Sequence, residues 1–266
     1  MRYQTIVLAA LLSLSTACRE VEATDTHTFA QAATVRVFAT TFNGRVDATP
    51  SDDGLVHASV LKRARALSFS DAEDDLHLID VSFSADAGTV TVTAQAQADV
   101  SPDELGVDIT VAVPDGLALN FQTSNGSITS DANSSDVSVT TSNGDIDLEA
   151  GEGTLNAQTS NGAITIHPSG PAAVEAHTSN GAIDFAGTIA DGSTAFVTSN
   201  GAITLALPAS SSFSLSASTS NGSIACDFPI NSAAQGSQDV LDGQVGSGGP
   251  EITAQTTNGS IQIDRL

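Results

Sequence analysis

Residues 155–166 read Leu155-Asn156-Ala157-Gln158-Thr159-Ser160-Asn161-Gly162-Ala163-Ile164-Thr165-Ile166. Leu155 and Ala157 alternate with Asn156 and Gln158, the period of two that marks a strand with one buried face. Ile164 and Ile166 alternate in the same way but with the opposite parity. Asn161-Gly162 therefore marks a corner at which the strand resets its facing, where glycine is expected to supply a positive φ.

The phrase returns along the chain. TSNG begins at Thr123, Thr141, Thr159, Thr178, Thr198 and Thr219, TTNG at Thr256, and a degenerate TFNG at Thr41. The seven clear copies are separated by 18, 18, 19, 20, 21 and 37 residues, the last interval reading as two periods with one rung that has lost its signature. The flanks repeat as well. Leu119 and Phe121, Val137 and Val139, Val174 and Ala176, Leu215 and Ala217 precede the corner; Ile146 and Leu148, Ile183 and Phe185, Ile203 and Leu205, Ile224 and Cys226 follow it. A period of this length holds one coil of a β-solenoid.

Coils about 4.8 Å apart would set like residue on like residue. The expected structural ladder is Asn125, Asn143, Asn161, Asn180, Asn200, Asn221 and Asn258, each amide donating and accepting along the column. A buried corner amide without such a partner would cost about 1–3 kcal/mol. The rival architecture is a row of antiparallel hairpins, for which Asn-Gly is also a strong signal. A hairpin row has no use for the same Thr-Ser before every turn, so stacking is favoured.

The predicted domain plan is a signal peptide over residues 1–18, a short linker over 19–32, a β-rich and less regular N-terminal part of the solenoid over 33–118, and the TSNG-repeat solenoid over 119–266. Arg2 followed by the apolar run Ile6–Leu14 gives the leader. Leu14-Ser15-Thr16-Ala17-Cys18 resembles a lipobox, which would make Cys18 the lipidated N-terminus and anchor the protein in a membrane. Ser15-Thr16-Ala17 also fits ordinary signal-peptide cleavage, which would leave a soluble periplasmic or secreted protein. Cys226 occupies an inward slot and reads as a small buried hydrophobe. Ser70-Asp71-Ala72-Glu73 has capping-box spacing, with Leu76 and Ile79 as the apolar side of a short helix.

Composition excludes several functions. The chain of 266 residues has a formal net charge of −23, no Trp and one Tyr, Tyr3, in the leader. Beyond Arg65 the only basic residue is Arg265, so no cluster exists to neutralise phosphates and no nucleic-acid partner is expected. Lys62, Arg63 and Arg65 read as a solvated strand face. Gly151-Glu152-Gly153 lacks the third glycine and the helix of a dinucleotide loop, and Gly246-Ser247-Gly248-Gly249 lacks nucleophile-elbow spacing, so both read as turns. His167 and His177 lie ten residues apart without metal-ligand spacing. Asp145, Asp147 and Glu149 point outward together, but neighbouring coils do not complete an oxygen cage. No cofactor, metal or catalytic residue is expected.

The strand ending at Asn43-Gly44, Val113-Pro114-Asp115-Gly116, the serial TSNG copies and Gly243–Gly249 before the last TTNGSI resemble the bacterial β-strand-repeat family of unknown function that carries an adhesin label. The likeness covers residues 33–266. It implies an all-β fold, a right-handed single-stranded β-helix or β-solenoid with a less regular N-terminal cap. It also implies a non-catalytic role at the cell envelope, with no catalytic residues to carry over. The expected protein is an exported, adhesin-like structural or interaction module, an outer-membrane lipoprotein if Cys18 is modified, with another envelope protein or a glycan as partner. The alternative is a β-helix protein that binds or degrades polysaccharide.

Overall fold

The computed structural model describes residues 4–9, 19–30, 34–97, 104–149, 151–234 and 239–266. Among the described residues, two sheets of twelve strands each enclose one apolar core. From edge to edge the first contains Gln4–Ala9, Arg19–Ala30, Leu55–Ala66, Leu105–Val113, Val46–Pro50, Ile128–Ser130, Ile146–Leu148, Ile164–Ile166, Ile183–Ala186, Ile203–Leu207, Ile261–Arg265 and Ile224–Cys226. The second contains Ile230–Ala234, Val240–Val245, Phe213–Asn221, Glu251–Asn258, Ser193–Asn200, Ala172–Asn180, Gly153–Gln158, Asp136–Thr140, Ala118–Gln122, Arg36–Thr40, Thr89–Ala96 and Ile79–Asp86.

Each TSNG copy carries the chain from the second sheet to the first, as Gly153–Gln158 leads through Thr159–Gly162 into Ile164–Ile166. Successive copies pair in parallel, Ile146 on Ile164 on Ile183 on Ile203 in one sheet and Val139 on Ala157 on Ala176 on Phe196 in the other. Asn-Gly is thus a corner between sheets and not the tip of a hairpin. The alternating positions on both sides of the corner point inward, and each Ile or Leu fully buried there contributes roughly 1.5–3 kcal/mol. Phe185 and Phe196 meet across the gap at 5.4 Å between ring centroids. Ile224 and Cys226 are the exceptions. They sit on the edge strand of the first sheet and remain half-buried, so Cys226 is not the buried core residue that the alternation implies.

The architecture corrects the expected single-stranded right-handed β-helix or β-solenoid. In such a helix every coil is laid on the one before it, so strand order follows the chain. Here Val46–Pro50 lies between Leu105–Val113 and Ile128–Ser130, and Ile261–Arg265 lies between Ile203–Leu207 and Ile224–Cys226. Both sheets are mixed, with antiparallel strands at both ends of the second and at the N-terminal end of the first, whose other edge strand, Ile224–Cys226, is parallel. Among the described residues, the 37-residue interval contains no degenerate rung. Ile230–Ala234 and Val240–Val245 pair antiparallel outside Phe213–Asn221, and the chain then returns to insert Glu251–Asn258 between Ser193–Asn200 and Phe213–Asn221. The repeat fixes spacing and facing, whereas strand order depends on long-range pairings that a local motif does not contain.

The N-terminal part also departs from the reading. The segment expected as a linker over 19–32 contains the strand Arg19–Ala30, paired antiparallel with Leu55–Ala66 from Arg19 on Ala66 to Ala30 on Leu55. The helix spans Phe69–Leu76, buries Ala72 and Leu76, and is capped by Ser68, whose Oγ accepts from the Asp71 N–H at 3.2 Å. Ser70 is therefore inside the helix, and Ile79 opens the following strand. Within the expected leader, Gln4–Ala9 pairs with Arg19–Ala30, whereas Cys18 lies outside the described residues.

Candidate functional site

The corners form a continuous polar edge. Thr41, Thr123, Thr141, Thr159, Thr178, Thr198, Thr219 and Thr256 are buried; the asparagines two residues further on are exposed from Asn125 onward, and Asn43 is half-buried. Each threonine hydroxyl from Thr123 onward donates to a glycine carbonyl of the adjacent rung, as Thr141 Oγ1 does to Gly126 O at 2.9 Å and Thr159 Oγ1 to Gly144 O at 3.0 Å. Thr41 Oγ1 donates instead to Val107 O at 3.0 Å.

Outside this row, Asn143 Nδ2 donates to Asn125 Oδ1, Asn161 to Asn143, Asn180 to Asn161, Asn200 to Asn180, Asn258 to Asn200 and Asn221 to Asn258, at 2.8–3.0 Å. The amides therefore occupy the surface, and the inserted strand places Asn258 between Asn200 and Asn221. Sequence reasoning placed asparagine in the interior; Thr159 and Asn161 both lie in phase with Leu155 and Ala157, but the corner begins after the threonine and turns the asparagine outward.

Glycine has a steric role that differs from the expected one. A Cβ at Gly162 would lie 2.0 Å from Gly144 O, and one at Gly144 would lie 2.0 Å from Gly126 O. The rungs approach so closely at the corner that a side chain would strike the neighbouring carbonyl. Among the repeat glycines, Gly144 and Gly162 show no left-handed φ, so close approach and not φ requires them.

Strand order creates a surface row that the linear sequence conceals. Thr110, Asp47, Thr129, Asp147, Thr165, Asp184 and Thr204 are successive neighbours across the first sheet. At about 4.8 Å per strand, a carboxylate recurs every 10 Å or so. Burial raises the pKa of Asp47 and Asp147 above the usual carboxylate value. Asp147 Oδ1 is shielded and accepts no hydrogen bond from the described residues. Its neighbours are paired: Asp145 Oδ1 accepts from the Ala163 N–H at 2.8 Å, and Glu149 Oε1 lies 3.1 Å from His167 Nδ1. His177 Nε2 lies 3.2 Å from Glu175 Oε1. Among the described residues, no group of three or more His, Cys, Asp or Glu is arranged to hold a metal ion.

At the N-terminal end of the first sheet, Asn43, Arg63, Arg65, Glu20, Glu104 and Gly106 line a cleft of about 300 Å³. Its cations are paired. Arg63 Nη2 donates to Asp108 Oδ1 at 2.8 Å, the Arg45 N–H donates to the same oxygen at 3.0 Å, and Arg65 Nε donates to Glu20 Oε2 at 3.1 Å. Lys62 Nζ lies 2.9 Å from Asp25 Oδ2. The basic run is therefore threaded into the sheet by carboxylates of neighbouring strands.

Similar solved structures include a candidate cell-adhesion protein from Clostridium sporogenes (11% identity, 91% of this chain and 99% of that chain, TM-score 0.41). A candidate adhesin from Bacteroides fragilis is similar at 14% identity over 90% of this chain and 96% of its own, with a TM-score of 0.42. A candidate lipid-binding protein from Parabacteroides distasonis shows 14% identity over 90% and 96%, with a TM-score of 0.36. No curated protein matches the chain. Residues 39–264 match the family described as Toastrack DUF4097, which spans both sheets from the TFNG corner to the last strand. The chain belongs to the Toastrack DUF4097 family.

Proposed function

We propose that this protein is a non-catalytic, adhesin-like interaction module of the cell envelope, exported by its leader and held at a membrane through lipidated Cys18. The observation that carries the reading is the dispersal of polar groups in rows along a regular two-sheet body. The exposed asparagines, the Asp–Thr row and Gln122, Thr140 and Gln158 all lie in register on outer surfaces. Rows of this kind suit a broad contact made of many weak hydrogen bonds with an envelope protein or glycan, whereas turnover needs groups that converge on one bond. The high negative charge adds solubility at a crowded surface.

Two measurements test it. The full chain produced in a bacterial host incorporates radiolabelled palmitate, and Cys18→Ala does not; equal labelling of both would remove the anchor. Purified protein incubated with envelope polysaccharide retains it on a binding column without releasing new reducing ends. Release of such ends would replace this reading with a polysaccharide-degrading one.

A further inference from the structure

We propose that the corner of the first sheet formed by Arg19, Arg63, Arg65, Leu67 and Phe69 is the surface that rests on the lipid bilayer. The proposal builds on the Cys18 anchor. Arg19 follows Cys18 directly in the chain and is already part of a strand, paired with Ala66. Consecutive Cα atoms are about 3.8 Å apart, so an acylated Cys18 would have no flexible tether separating it from the folded body. Whatever surrounds Arg19 must then meet the headgroups.

The surroundings suit that position. Leu67 is 86% exposed, more than Val35, Val240 or Leu266, the other large apolar side chains left open to solvent among the described residues. The Arg19 guanidinium lies over the Phe69 ring at 5.0 Å, and the Arg65 side chain is 63% exposed. An exposed leucine among arginines with apolar stems and charged tips matches the layered polarity of a bilayer interface.

Charge distribution points to the same corner. Three of the eight Lys and Arg residues, Arg19, Arg63 and Arg65, belong to this corner, and residues 66–264 contain none while holding 25 of the 31 Asp and Glu residues. An anionic leaflet repels the acidic remainder of the body over a Debye length of about 8–10 Å. Glu20 and Asp108 pair with Arg65 and Arg63, Glu104 lines the same cleft and Asp71 lies in the first turn of the helix that Phe69 opens, so the corner carries no basic excess, and its arginines only offset the acidity that dominates elsewhere. It admits the membrane where the rest of the surface opposes it, and the anchor together with Leu67 supplies the attachment.

The test uses the full chain, exported and processed by the host, in a Cys226→Ser background. An environment-sensitive fluorophore is placed at Leu67→Cys or, as a distant control, at Ser216→Cys. Each protein is reconstituted with vesicles of phosphatidylethanolamine and phosphatidylglycerol that carry nitroxide-labelled headgroups. Flotation with the vesicles and several-fold stronger quenching at position 67 than at 216 is the expected result. Flotation with equal quenching overturns the contact while leaving the anchor in place. Failure to float removes the anchor and this proposal with it.

Discussion

Thr159 Oγ1 donates to the carbonyl of Gly144, fifteen residues earlier, at 3.0 Å inside the corner, while Asn161 donates to Asn143 at 2.9 Å on the outside of the same corner. The two bonds are similar in length but not in surroundings. The threonine is 4% exposed and the asparagine is open to water, so solvent replaces the second bond far more readily than the first.

The order of stability losses follows. Thr159→Val keeps the side-chain shape and removes the buried donor, costing about 1 kcal/mol. Asn161→Ala costs less, and Ser160→Ala, at an exposed position between them, costs least. Urea melts of the three variants check the order; an asparagine variant weaker than the threonine variant would contradict the inside–outside assignment.

Gly162→Ala is expected to be far more damaging than either. Its Cβ would lie 2.0 Å from Gly144 O, a backbone atom that cannot swing aside. Separating the rungs would stretch the neighbouring parallel ladder, for a loss of about 3 kcal/mol or more. Thermal unfolding reads the effect, and a melt equal to wild type would show that the rungs are not in such close contact.

Asp147 supplies a pH-dependent prediction. Burial, then Glu149, raises its folded-state pKa, with His167 acting in the opposite sense. The folded state therefore disfavours the carboxylate. The resulting relative stability is fully present below the unfolded-state pKa of about 4 and is lost as pH rises through the folded value. Asp147→Asn should raise the melting temperature near neutral pH, with the gain disappearing below about pH 4. A gain of the same size at both pH values would assign it to packing instead.

Ala87 offers a stabilising change. It turns the chain between Ile79–Asp86 and Thr89–Ala96 with φ of 48°, followed by Gly88 at 80°. Left-handed backbone costs an ordinary residue roughly 1–2 kcal/mol, and asparagine tolerates it better. Ala87→Asn should raise stability by about 0.5–1 kcal/mol in denaturant melts; a loss would mean that this turn is not left-handed.

The inward residues were legible because a period of two leaves little choice: Leu155, Ala157, Ile164 and Ile166 announce their facing. The corner was legible as a place but not as an arrangement. Thr159 and Asn161 share parity with Ala157, and only the geometry beyond the strand separates an inward hydroxyl from an outward amide. The strand Arg19–Ala30 was hidden because Glu20, Glu22 and Asp25 resemble a solvated linker until Arg65, Arg63 and Lys62 on the neighbouring strand are set beside them. The Asp–Thr row was hidden for a similar reason. Asp47, Thr129 and Asp147 become neighbours only through pairing between distant segments.

The strand order itself is open to a direct measurement. Asn200 and Asn258 are paired neighbours, and Asn221 lies one strand further out. A disulfide requires Cα atoms within about 7 Å, a condition that adjacent strands meet and that strands two steps apart, at roughly 10 Å, do not. In a Cys226→Ser background, Asn200→Cys with Asn258→Cys should oxidise to an intramolecular disulfide, and Asn200→Cys with Asn221→Cys should stay reduced. Cross-linking of the 200–221 pair in place of the 200–258 pair would mean that the coils follow chain order, and the two-sheet arrangement described above would be wrong.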